Sequence, residues 1–266
     1  MLKSHRYGRF VSEGKWMEII PRYLYVYKSF DDTGYWKDIL INKRLYMARP
    51  EQFNDPFEGQ LFPFSTSSCG QSINLAAGKG NKDVTQFLND YRVVCLSSNI
   101  RNKAMWAYYA DDYKGFAIRF KTTKDKGCFM QGNVFAAAER VIYKKESEEI
   151  PCREVCGYRE AKKIQRQCLL YKSDDWRQEE EFRVIKYSRS KNKKFLHFGY
   201  DDIESVILGA RISEANRETI TGICEANHIK IRNMWLATIE SRIEFYSKEP
   251  PRFDGSSYKR FIDDDI

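Results

Sequence analysis

Three glutamates stand together in the stretch Trp176 to Ile185, WRQEEEFRVI. Side chains of an extended chain alternate with a period of two. A strand starting near Glu179 therefore puts Phe182 and Val184 on one face and Glu179, Glu181 and Arg183 on the other. The first face is fit for burial. The second carries two carboxylates and a guanidinium, a set that can stabilise a developing positive charge, coordinate a hard cation, or pair within itself. Glutamate is a poor strand former, and a local conflict of this kind is expected at functional sites. Glu180 points with Phe182 and Val184, which leaves Glu179 and Glu181.

Other residues able to complete a site lie upstream. RYLYVYKSF, after Pro21, reads as a strand, with Tyr27 and Lys28 at its end, where they can meet a ligand or pack on a helix. RPEQFNDPFEG, Arg49 to Gly59, is irregular by its prolines and its Asn-Asp-Pro turn. It holds Asn54, Asp55 and Glu58 among Phe53 and Phe57, either as an Asx-turn anchored in the core or as a rigid polar loop beside a pocket. YRVVCLSS, Tyr91 to Ser98, is a strand ending in Ser97 and Ser98. In NKAMWAYYADDYKG, Met105, Tyr109 and Asp112 or Tyr113 lie at helical spacing with Trp106 and Ala110 beside them, and Trp106 and Tyr109 serve either as core or as a stacking surface.

The elements that must position these groups follow from the pattern. Tyr35 to Leu40 suggests a short helix, and Arg44 to Ala48 a strand. The helix through Trp106 is capped by Asn99 or Asn102 and ended by Gly115, and GFAIRF after it alternates as a half-buried strand. Val134 to Tyr143 reads as a strand, the segment from Cys152 as an amphipathic helix, and Pro63 to Lys82 as an exposed insertion without a phosphate-loop motif. KKFLHFG and DDIESVILGARIS supply strands, Ser213 caps a helix, and HIKI is a further strand. The expected fold is a single α+β domain over residues 21–247, with a mostly antiparallel central sheet, whole or split, flanked by helices. Residues 1–20 form an N-terminal extension and 248–266 a flexible tail.

With 266 residues and 42% hydrophobic content the chain can build a sizeable core. Forty-five basic against 37 acidic residues give +8, which favours an anionic partner, a nucleotide or nucleic acid. No apolar run approaches a membrane span and MLKSHRYGRF lacks a signal-peptide core, so a cytoplasmic protein is expected. The seven cysteines form no CxxC pair and have no nearby histidine; they read as reduced thiols, with no metal site. Oligomeric state is not legible.

FNDPFEG, VVCLSS followed by MWAYYADDYKGFAIRF, WRQEEEFRVI and IESVILGARIS resemble, in this order, the bacterial domain of unknown function 2971 family, over roughly Leu24 to Ser213. The chain departs from that pattern after the tryptophan, where Ala107-Tyr108-Tyr109 replaces the usual Ser-His-Tyr. The order of an aromatic or basic strand end (Tyr27, Lys28), a serine strand (Ser97) and a Glu-x-Glu strand also resembles the layout of ADP-ribosyltransferases. This second resemblance implies an NAD-consuming transferase or glycohydrolase, with NAD as substrate and nucleic acid or protein as acceptor, in a toxin or phage-defence role. It assigns Glu181 as the catalytic carboxylate and Glu179 as the residue that positions or deprotonates the acceptor. Tyr27, Lys28, Asn54, Asp55, Ser97, Trp106, Tyr109 and Arg183 then become candidates for holding the dinucleotide. Lys28 stands where arginine is usual, and lysine cannot clamp a diphosphate bidentately.

Two alternatives stay open on the residues alone. One is a metal-dependent nuclease using Asp55, Glu58, Glu179 and Glu181, although no compact Asp-x-Glu-x-Lys signature is present. The other is a binding module in which Glu181 and Arg183 form a structural ion pair.

Overall fold

A computed structural model describes residues 20–55, 58, 88–122, 133–145, 166, 168–188, 193–237 and 242–247. In chain order the elements are β1 (Tyr23–Lys28), α1 (Tyr35–Ile41), β2 (Arg44–Tyr46), β3 (Tyr91–Ser97), α2 (Lys103–Tyr109) and β4 (Phe116–Lys121). There follow β5 (Glu139–Arg140), β6 (Ile142–Lys144), β7 (Tyr171–Ser173), β8 (Glu181–Tyr187), β9 (Phe195–His197), β10 (Ile203–Leu208), α3 (Glu214–Ala226), β11 (Lys230–Ala237) and β12 (Arg242–Tyr246). The fold is α+β and its strand pairing mostly antiparallel, as the sequence predicts, while β10 with β11 and β6 with β7 pair in parallel. The expected insertion at Pro63 to Lys82, the helix from Cys152, residues 1–19 and the tail 248–266 lie outside the described residues.

The chain forms two compact units and passes back and forth between them: Met1–Arg22, Leu45–Ser98 and Thr122–His197 in the first, Tyr23–Arg44, Asn99–Lys121 and Phe198–Ile266 in the second. The second unit holds the strand order β12-β11-β10-β4-β1 together with α1, α2 and α3. Asn102 caps α2 by accepting the N–H groups of Ala104 and Met105, and Ser213 caps α3 through Asn216 N–H. The alternation of GFAIRF predicts a half-buried β4, yet Phe116 through Phe120 are all buried, Arg119 included. Arg119 is accommodated by stacking 3.7 Å from the Tyr23 ring and by its ion pair with Glu204, which also pairs with Arg232. Gly209 has no room for a side chain: a Cβ there would lie 2.1 Å from the Tyr113 carbonyl oxygen and 2.6 Å from that of Gly115.

The first unit holds β3-β8-β5, with β6 paired to β7 and β2 to β9. Its core gathers Leu88, Tyr91, Val93, Cys168, Leu169, Leu170 and Ile185. Val134 to Tyr143, one strand by its pattern, is instead a 3-10 turn at Val134–Ala137 followed by β5 and β6. Asn133 sets that turn by accepting the N–H groups of Phe135 and Ala136.

Each unit buries a free thiol, Cys168 in the first and Cys224 in the second. Burial pushes both up to about 12. An unfolded thiol ionises from about pH 8.5. Between that value and about 12 the unfolded chain therefore binds fewer protons than the folded one, and stability falls as pH rises. We expect urea midpoints to drop between pH 8 and 10.5, and the drop to flatten in the C168A/C224A double variant. Parallel pH profiles for the two proteins would contradict this account.

Candidate functional site

The polar face of β8 is set by its register with β3, in which Ser97 lies opposite Glu181 and Cys95 opposite Arg183. The serine end of one strand therefore abuts the glutamate start of the other. The strand begins at Glu181 and not at Glu179: Asp174–Glu179 is a 3-10 turn, capped by Ser173 and closed by Glu180 in the left-handed region at φ 46°. A β-carbon makes that conformation unfavourable by roughly 1–2 kcal/mol, and the end of β3 holds it in place. Ser97 Oγ donates to the Glu179 carbonyl at 2.8 Å and Ser98 N–H to the Glu180 carbonyl at 3.0 Å. Glu180 is left exposed, as a turn residue and not as a companion of Phe182.

The turn reverses Glu179 so that both members of Glu-x-Glu meet one ammonium. Lys172 Nζ lies 2.5 Å from Glu179 Oε2, 3.0 Å from Glu181 Oε2 and 3.8 Å from Glu58 Oε2. Arg183 forks Glu181, with Nε 2.7 Å from Oε1 and Nη2 2.9 Å from Oε2. Its Nη2 also donates to Glu58 Oε1, its Nη1 donates to the Leu169 carbonyl at 2.7 Å, and its guanidinium lies over the Phe53 ring. Among the described residues, three carboxylates and two cations thus share one site, each less than a tenth exposed. Burial raises the Glu181 carboxyl, and Lys172 acts in the opposite direction. Burial likewise works against the charge of Lys172, but Glu181 and Glu179 outweigh it and raise the ammonium above its ordinary range.

Two short strands deliver the supporting groups. In the parallel pairing of β6 and β7, Tyr143 lies beside Lys172. The Tyr143 hydroxyl accepts the Glu181 N–H at 2.8 Å, and Val141 N–H donates to the Glu181 carbonyl at 2.9 Å. Burial pushes the Tyr143 hydroxyl up, keeping it a neutral hydrogen-bonding group. Cys95 is the member of this face that reaches solvent. Close packing around its sulfur and the neighbouring Glu181 carboxylate hold it well above the ordinary thiol range, so it remains a thiol.

Of the residues predicted from sequence, Glu179, Glu181, Arg183 and Ser97 come together here. The Asn-Asp-Pro turn acts through its neighbours: Asn54 is exposed and Asp55 buried, the Asp55 carbonyl accepts the Glu58 N–H at 3.1 Å, and the segment supplies Phe53 and Glu58 to the cluster. Tyr27, Lys28, Trp106 and Tyr109 belong to the second unit. There Tyr27 and Trp106 are core, ring centroids 5.1 Å apart and edge to face, with Tyr109 packed against the same cluster. The Trp106 ring has no exposed surface. Lys28 closes β1 half-buried.

Lys172 is not singled out from the sequence, whereas Glu58 is, both in the polar loop read as lying beside a pocket and in the nuclease alternative. The signal for Lys172 is slight, a lysine following Leu169-Leu170-Tyr171 in a three-residue strand. Among the described residues no group of three or more His, Cys, Asp or Glu side chains could hold a metal ion, and none of the helices is long and apolar enough to cross a membrane.

Residues 105–184 match the family model of a protein of unknown function (DUF2971). No curated protein and no solved structure matches the chain. The matched span takes in the Met-Trp helix and Lys172, Glu179, Glu181 and Arg183. The tyrosine strand, the Asn-Asp-Pro turn with Glu58, Ser97 and the segment Ile203 to Ser213 lie outside it, so the match is shorter than the Leu24 to Ser213 over which the motifs resemble the family.

Proposed function

We propose that the protein is an ADP-ribosyltransferase-like enzyme that consumes NAD, with Glu181 as its catalytic carboxylate. The observation that carries this reading is the cross-strand pairing of Ser97 with Glu181. The serine strand and the Glu-x-Glu strand, which the resemblance places in one site, are hydrogen-bonded neighbours with those two residues face to face. In such a reaction the bond between the ribose and nicotinamide breaks, nicotinamide leaves with the bonding electrons, and the ribose gains oxocarbenium character. A fixed carboxylate stabilises that charge, and a hydroxyl, amine or water then adds to the ribose and releases a proton. Glu181 is fixed by its backbone bonds to Tyr143 and Val141 and by the Arg183 fork, so little reorganisation is needed as charge develops. Glu179, held by the same ammonium, is the group that orients the acceptor. The +8 charge suits a nucleotide substrate and a nucleic-acid acceptor, and NAD consumption suits a cytoplasmic toxin or phage-defence effector.

Incubation of the full chain with NAD should release nicotinamide, with ADP-ribose appearing free or on an added nucleic acid or protein. Replacing Glu181 by glutamine should lower that rate by about 10²–10³-fold, the scale of losing one preorganised electrostatic group, while Glu180→Gln leaves it unchanged. No release by the wild type, or equal release by E181Q, would rule the reading out.

One observation favours a different reading. Both oxygens of Glu181 are already engaged by cations, Oε1 by Arg183 and Oε2 by Lys172 and Arg183, as in a structural ion-pair network of a binding module. In that case E181Q lowers the melting temperature and changes no chemistry. The nuclease alternative loses ground for the same reason, because Lys172 and Arg183 already neutralise the carboxylates a divalent cation would need.

A further inference from the structure

We propose that Lys172 is a positioning residue of this site: its buried ammonium sets the Glu179 and Glu181 carboxylates side by side. The proposal rests on the reading of Glu181 as the catalytic carboxylate, and part of its test is independent of that reading. The ammonium spans both members of Glu-x-Glu at 2.5 and 3.0 Å, and the Trp176 ring lies over it at 5.2 Å. Arg183 is committed to the Glu181 fork, to Glu58 and to the Leu169 carbonyl. Lys172 thus joins the carboxylate of the turn residue to that of the strand residue.

Among the described residues, the charged and titratable groups around this point come from every element packed on it. Glu58 arrives from the Asn-Asp-Pro turn, Cys95 from β3, Tyr143 from β6, Glu179 from the 3-10 turn, and Glu181 with Arg183 from β8. Cys95 and Tyr143 are held neutral, so the balance among three carboxylates is set by the two cations. Burial alone already raises Glu181, and Lys172 is the strongest influence in the other direction. Without the ammonium, two buried carboxylates would sit within a few ångströms of each other. Like charges at such range cannot both persist, and a proton would be taken up at higher pH.

The test compares wild type, Lys172→Met and Lys172→Arg in the full chain, with folding checked by circular dichroism and melting. The first readout is kcat/KM for nicotinamide release from NAD across pH 5 to 9. In K172M the acid limb should move up by at least about one unit, the activity lost at pH 6 returning as pH rises, and K172R should restore the wild-type limb. The second readout needs no activity: the side-chain carboxyl carbon signal of Glu181, identified by its loss in E181Q, should titrate at higher pH in K172M than in wild type. A folded K172M whose acid limb and carboxyl titration both stay in place would overturn the proposal. So would a loss of activity equal at every pH. Should K172M fail to fold, K172Q is read in the same two ways. If the wild type releases no nicotinamide, the enzyme reading falls and the carboxyl titration still decides the role of Lys172.

Discussion

Arg183→Leu is expected to destabilise the protein by about 3–5 kcal/mol, the cost of breaking a buried ion pair by removing one partner. The guanidinium is 1% exposed and bridges two carboxylates on different segments, Glu181 of β8 and Glu58 beyond the Asn-Asp-Pro turn, while closing the Leu169 carbonyl. Leucine fills part of the volume and satisfies none of these oxygens. Three carboxylates then face the single ammonium of Lys172 in a site with no water-exposed member among them. A loss of that size is a large share of the 5–15 kcal/mol that ordinary domains possess. It should appear as a lowered urea midpoint with an unchanged slope. Adding Glu58→Gln to R183L removes one of the unpaired charges and should recover part of the loss, a coupling that additive, independent sites would not show. The deficit should also shrink on acidification, since protonated carboxyls no longer need the cation. An R183L loss below about 1 kcal/mol would mean that the cluster is wetter and looser than its geometry indicates.

How much of this site is legible in the sequence can be judged on its members. Alternation along EFRVI correctly separates Glu181 and Arg183 from Phe182 and Val184, because β8 is a regular strand paired on both sides. Extending the same alternation back to Glu179 reaches the right residue by the wrong geometry. Glu179 is not on the strand, and a left-handed Glu180 brings its carboxylate round to Lys172. No local pattern announces that turn, since its support comes from Ser97 and Ser98, some eighty residues upstream. Lys172 eludes sequence reasoning for the same reason: a buried charge is made tolerable by partners distant in the chain, and a single sequence does not display them. Arg119 makes the point again in the second unit, where a strand expected to expose its arginine buries it under Tyr23 and beside Glu204. Caps are the opposite case. Asn102 and Ser213 act within three residues of themselves and are read without difficulty. β12 is unannounced for a different reason: it is short and stands at the edge of the expected tail, although Ile243 and Phe245 are buried and alternate with Glu244 and Tyr246.

Trp106→Ala should be the most damaging single truncation in the second unit, at about 3–5 kcal/mol. The indole is fully buried, and its loss opens a cavity among Tyr27, Ile100, Ala110, Ala117 and Ile207. Two ring contacts go with it, the edge-to-face pair with Tyr27 at 5.1 Å and the stack on Tyr113 at 6.3 Å, each worth up to about 1 kcal/mol beyond burial. Its Nε1 also donates to the Ile100 carbonyl at 2.7 Å, which joins the end of the β3 connection to α2. Trp106→Phe separates these contributions. It retains most of the apolar volume and removes the donor, so its cost should fall near the 1–3 kcal/mol of a buried acceptor left unpaired. Trp235 supplies the control: it is 50% exposed on β11, and W235A should shift stability by no more than about 0.5 kcal/mol. Urea unfolding of the three variants orders them W106A, W106F, W235A. Were W106A instead to cost less than W106F, or to leave stability intact while abolishing NAD consumption, the indole would be a ligand-contacting residue after all and its place as core would have to be given up.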